Sequence, residues 1–151
     1  MNTLSDFFRN ITRHKKDIFI VEDNEVYAKA LQTFIQSHFS EIKETKIFNI
    51  GEICLTEMHR KPNIVILDYF LNSKFLSAYN GLEIIKRIKA QTPETNIIVL
   101  SAQEKNENIL EAIKQYDCSY VYKNEQAFTK VEKLIKEIFS RENSPVYEPV
   151  N

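Results

Sequence analysis

Glycine is nearly absent: Gly51 and Gly81 are the only two in 151 residues. Phosphate-cradling loops of nucleotide carriers are built on clustered glycines, because backbone N–H groups must approach the phosphate closely. A flavin or nucleotide carrier is therefore the least supported reading. Cysteine is equally scarce. Cys54 and Cys118 are too few and too distant for a metal knuckle, and they read as buried thiols in a reducing compartment. Neither charge sign dominates: 20 basic residues face 21 acidic ones, for a net charge of -1. That balance gives no electrostatic case for nucleic acid. No apolar run reaches the length of a membrane span, and the N-terminus lacks the apolar stretch of a secretory signal. A soluble cytoplasmic protein of one domain is expected.

What the chain does have is charge at the ends of apolar strands. Ile18-Phe19-Ile20-Val21 runs into Glu22-Asp23, and Ile64-Val65-Ile66-Leu67 runs into Asp68. Ser119-Tyr120-Val121-Tyr122 ends at Lys123. Short β-branched and aromatic runs read as buried parallel strands, and open α/β sheets place their ligand sites at the carboxyl ends of such strands. Carboxylates crowded there repel and resist ionisation unless a cation joins them. Mg²⁺ is held by one or two carboxylates together with phosphate and water. The pattern points to Mg²⁺ and a phosphoryl group.

Segment types alternate along the chain. Strands are predicted at 17–22, 45–50, 63–68, 96–100 and 118–122. Helices are predicted after the first strand and at 52–60, 81–91, 104–115 and 126–141. The first helix carries a stripe of Val26, Ala30, Leu31, Phe34 and Ile35, with Asp23 or Asn24 as its cap. Five strands alternating with five helices make a doubly wound parallel sheet. Residues 1–16 form an N-terminal extension with Leu4, Phe7, Phe8 and Ile11 ahead of a basic cluster. They read equally as a short amphipathic helix or a frayed arm. Residues 17–140 form the domain, and 141–151 a loose tail.

This order of residues resembles the receiver domain of two-component response regulators over about residues 17–140. The resemblance rests on Glu22 and Asp23 after the first strand, Asp68 after the third, and Ser101-Ala102 after the fourth. Tyr120 with Lys123 at the fifth strand and Asn80-Gly81-Leu82 at the third helix complete it. It implies a flavodoxin-like (βα)5 fold of strand order 2-1-3-4-5. It further implies that Asp68 is the phosphoryl acceptor and that Glu22, Asp23, Asp68 and the Phe70 backbone carbonyl hold Mg²⁺. Lys123 would contact the phosphoryl group, with Ser101 and Tyr120 as switch residues. The implied donor is a sensor histidine kinase or histidine phosphotransfer protein. The implied downstream partner is a protein on the face made by helix four, strand five and helix five, with a homodimer left open. Such a chain acts on its own phosphoryl group and is not an enzyme in the ordinary sense.

Each residue also has a plainer role. Glu22 and Asp23 suit a helix N-terminus, Asp68 can start an Asx-turn, and Lys123 can pair with Asp68 structurally. Ser101 can cap the fourth helix, and Tyr120 can be a half-exposed core aromatic. His14, His38 and His59 lack ligand spacing and read as surface residues. Three features depart from the receiver pattern. The stretch from Asp68 to Gly81 is longer by about five positions, with residues 72–79 as a lid, a partner contact or a tolerated insertion. Asn124 stands where receivers carry proline. Phe70 is bulky two positions after Asp68, where it would hinder water. The rival readings are a phosphorylation-independent receiver-like adaptor and a small Mg²⁺-dependent phosphohydrolase. The latter lacks a second acid at position 70.

Overall fold

The computed structural model describes residue 4, residues 15–71 and residues 80–144. The expected N-terminal helix, the 72–79 insertion and the end of the tail lie outside the described residues. Five strands form one parallel sheet in the order β2-β1-β3-β4-β5. They are β1 (Lys16–Val21), β2 (Ile42–Phe48), β3 (Ile64–Asp68), β4 (Asn96–Ser101) and β5 (Ser119–Tyr122). The helices are α1 (Glu25–His38), α2 (Gly51–Thr56), α3 (Gly81–Gln91), α4 (Glu107–Tyr116) and α5 (Ala127–Glu142). This is the doubly wound parallel sheet expected from the sequence, in the flavodoxin-like order that the receiver resemblance implied.

Strand alternation divides the core. Phe19, Val21, Val65, Leu67, Ile97 and Val99 meet α2, α3 and α4 on one face, through Cys54, Ile84, Ile88 and Ile109. Ile18, Ile20, Ile64, Ile66, Ile98 and Leu100 meet α1 and α5 on the other, through Leu31, Ile35, Val131, Ile135 and Phe139. The central strands are apolar on both sides because helices cover both. At the amino edge of the sheet, Lys16 pairs with Glu142 at 2.7 Å, and Asn63 donates to the same carboxylate at 3.1 Å. This ties the end of α5 beneath β1 and β3.

Several boundaries differ from expectation. β2 begins at Ile42 because the edge strand pairs Lys16–Val21 with Ile42–Phe48, despite its alternating charges. The second helix breaks into α2 and a 3-10 turn, Met58–Arg60, and Lys61 before Pro62 takes a left-handed φ of 51°. A residue preceding proline is disfavoured in the helical region. α4 starts three residues late because the Asn106 side chain accepts the Ile109 N–H and fixes the cap there. Val26 and Ala30 face solvent, Val26 at 81% exposure. The buried stripe of α1 instead follows Ala28, Leu31 and Ile35.

Candidate functional site

Strand register assembles the site. Val21 pairs with Leu67, so Glu22 and Asp68 emerge side by side where β1 and β3 end. Asp68 pairs with Leu100, which sets Ser101 one step further across the edge. Ser101 pairs with Tyr122, and the Lys123 N–H donates to the Ser101 carbonyl at 2.8 Å. Residues scattered over a hundred positions thus form one row along the carboxyl edge of the sheet.

The row is largely buried and rich in acidic groups. Glu22, Asp68 and Ser101 are all buried, although carboxylates rarely are unless paired. One oxygen each from Glu22, Asp23 and Asp68 lies within 4.8 Å of the others. Lys123 bridges two of them, with Nζ 2.5 Å from Glu22 Oε2 and 3.2 Å from Asp68 Oδ2. The second oxygens of Glu22 and Asp68 take backbone donors: Asn24 N–H reaches Glu22 Oε1 at 3.1 Å, and Phe70 N–H reaches Asp68 Oδ1 at 3.1 Å.

Burial pushes the Glu22 carboxyl above its usual range, and the neighbouring Asp68 adds to this, against the Lys123 hydrogen bond. Burial pulls on Lys123 in the opposite direction, but its hydrogen bond to Glu22 and the two carboxylates outweigh that and hold it above its ordinary value. Three acidic groups converge at this point, a set of like charges that a divalent cation would stabilise. Three carboxylate oxygens within 4.8 Å of one another are an all-oxygen donor set of the kind a hard divalent ion takes. The residues present fit that ion.

The plainer roles coexist with this arrangement. Asp68 does form an Asx-turn, through the Phe70 N–H, and Lys123 does pair with it. Asn24, whose side chain accepts the Tyr27 N–H at 3.0 Å, caps α1. Ser101 is not the α4 cap, since Asn106 is. The Ser101 hydroxyl instead accepts the Gln103 N–H at 3.1 Å. Tyr120 donates its hydroxyl to the Gln103 carbonyl at 2.5 Å, so both expected switch residues hold one loop residue. The Lys123–Asn124 bond is trans. Asn124 donates its N–H to the Tyr122 carbonyl, and its side chain accepts the Gln126 N–H at 3.0 Å. Proline could supply neither bond.

Sequence reasoning missed Tyr27, whose ring centroid lies 4.6 Å from Lys123 Nζ. Its signal was its place one helical turn after Asp23, which points it back toward the strand ends.

Comparison with known proteins agrees with this geometry. The sequence profile of the response regulator receiver domain matches residues 18–138. The BeF3-activated DrrB receiver domain is similar over 83% of this chain and 98% of its own, at 25% identity and a TM-score of 0.69. The signal receiver domain of a DNA-binding response regulator (merR) from Colwellia psychrerythraea 34H is similar over 83% and 98%, at 24% identity and a TM-score of 0.68. A CheY-like receiver domain protein from Methanospirillum hungatei JF-1 covers 84% and 96%, at 18% identity and a TM-score of 0.69. No curated protein matches. The profile match over most of the chain, on a sheet of order 2-1-3-4-5 with an acidic cluster at its carboxyl edge, shows that the chain belongs to the response regulator receiver domain family of two-component signalling.

Proposed function

We propose that Asp68 accepts a phosphoryl group from the phosphohistidine of a sensor histidine kinase or a histidine phosphotransfer protein. The observation that carries this reading is the cluster itself: three carboxylates within 4.8 Å, two of them buried, with the Lys123 ammonium bridging Glu22 and Asp68. An Asp68 carboxylate oxygen attacks phosphorus, the phosphorus–nitrogen bond breaks, and its electron pair leaves with the donor imidazole. Glu22, Asp23, Asp68 and the Phe70 backbone carbonyl would hold Mg²⁺. Bound there, the ion screens the incoming phosphoryl charge and stabilises charge in the transition state. Lys123 supplies a second positive charge on one phosphoryl oxygen.

Ser101 reads the product by turning its hydroxyl from the Gln103 N–H to a phosphoryl oxygen. That shift moves Gln103 and therefore Tyr120, which is bound to the Gln103 carbonyl. Phosphorylation so biases the loop between β4 and α4. A partner protein reads the result on the α4–β5–α5 face, where Leu110 and Tyr122 stand exposed. The bulk of Phe70 slows attack by water on the phosphoryl group. No described helix is long and apolar enough to cross a membrane.

The test is titration with beryllofluoride and Mg²⁺, followed by amide NMR. Joint binding that shifts Ser101, Gln103 and Tyr120 is expected. Shifts confined to Glu22 and Asp23 would leave a metal site without a phosphoryl site and favour the phosphorylation-independent adaptor.

A further inference from the structure

Lys123 must hold its ammonium on two carboxylates at once, yet lysine has a flexible four-carbon stem and no fork geometry to fix it. One side chain walls it in. The Tyr27 ring lies beneath the ammonium, with its centroid 4.6 Å from Nζ. The face of an aromatic ring attracts a cation at this range.

The ring is itself fixed. It stands edge-on to Phe128 of α5, with centroids 5.4 Å apart and planes at 73°, and Phe128 in turn packs on Phe34 at 5.4 Å. The backbone ties it to the same site. Asn24 accepts the Tyr27 N–H with its side chain and gives its own N–H to Glu22 Oε1. A closed circuit results: Glu22 to Asn24, Asn24 to Tyr27, Tyr27 to Lys123, and Lys123 back to Glu22 and on to Asp68. Among the described residues, the buried Tyr27 hydroxyl has no hydrogen-bond partner. It contributes no bond, so the ring is the part in use.

We propose that Tyr27 is a positioning residue for phosphoryl acceptance, an aromatic wall that seats the Lys123 ammonium against Glu22 and Asp68. This rests on Asp68 being the acceptor. With the ammonium already placed, little reorganisation is needed when the phosphoryl group arrives. Tyr27→Leu frees the ammonium to sample solvent; Tyr27→Phe keeps the wall and removes only the unpartnered hydroxyl.

The experiment measures adduct formation with acetyl phosphate and Mg²⁺ by intact mass, in parallel with the NMR shift of the Lys123 ε-methylene protons. The variants are Tyr27→Leu, Tyr27→Phe and Phe34→Leu; the last loosens the same aromatic cluster without touching Lys123. Tyr27→Leu is expected to slow the reaction roughly tenfold and to abolish the ring-current upfield shift. Tyr27→Phe and Phe34→Leu are expected to stay within about twofold of wild type on that same rate scale and to keep the shift. An unchanged rate or shift in Tyr27→Leu overturns the proposal. So does equal slowing by Phe34→Leu, which would make the effect one of packing. No adduct on a wild-type chain that shows the upfield shift would remove the acceptor reading and the catalytic part of this proposal, with the seating of Lys123 standing alone.

Discussion

Replacing Lys123 with methionine keeps the length of the stem and removes the ammonium that bridges Glu22 and Asp68. At 2.5 and 3.2 Å, each pair has a gross attraction of about 5–7 kcal/mol at an effective dielectric of 20. Desolvation cancels much of this, and removing one partner of a buried pair costs about 3–5 kcal/mol. Lys123 retains 16% side-chain exposure, so the low end applies, about 3 kcal/mol at neutral pH without metal. For a domain of this size that is a fall in Tm of about 6–12 °C. The sign of the pH dependence follows from Glu22, whose carboxyl is raised above 4.5 by burial and by Asp68. Without the Lys123 hydrogen bond it rises further. The folded variant then holds a proton that the unfolded chain releases. Stability is therefore fully present below pH 4.5 and is lost as pH rises through the raised value. The deficit relative to wild type should shrink toward pH 4.5 and grow as pH rises above it. Mg²⁺ should restore part of it, since a cation at ten times its Kd adds about 1.4 kcal/mol. Urea melts of both proteins at pH 4.5 and 7.5, with and without Mg²⁺, measure the deficit under each condition, and thermal melts measure the fall in Tm. A deficit independent of pH and Mg²⁺ would refute this electrostatic account.

Gly81→Ala places a Cβ 2.7 Å from the Tyr69 carbonyl oxygen and ring. A loss of about 1–3 kcal/mol is expected in denaturant melts. Gly51→Ala meets side chains and no backbone, Ile84 at 2.8 Å and Leu71 at 3.6 Å, and should cost less. The thiols of Cys54 and Cys118 are pushed up to about 12 and about 11 by burial. They should be inert to a thiol reagent at pH 8 in the folded protein, and both should react in denaturant. Glu142→Ala strips the buried Lys16 ammonium of its 2.7 Å partner, which should cost about 3 kcal/mol by the same melts.

The fold was legible where burial is complete. The third and fourth strands are unbroken apolar runs because both faces are covered, and their ends fall within a residue of expectation. β2 was harder to read, since an edge strand with Lys43, Glu44 and Lys46 carries no such run. The stripe assigned to α1 missed because Val26, though apolar, points outward in the first turn beside Tyr27, which points in. The site row was legible because each member directly follows or ends a strand, and parallel register does the rest. Tyr27 was not, because its role depends on where the tip of Lys123 comes to rest, which strand periodicity leaves undetermined. Asn124 likewise looked like a loss against the family pattern, and its compensating turn bonds exist only in three dimensions.

Intact mass after incubation with Mg²⁺ and a small-molecule phosphodonor, beside an Asp68→Asn control, tests the central claim most directly. One added phosphoryl group on the wild-type chain is expected, absent from the control and absent without Mg²⁺. An adduct that persists in Asp68→Asn, or none on a folded wild-type chain that also fails to bind beryllofluoride, would contradict it.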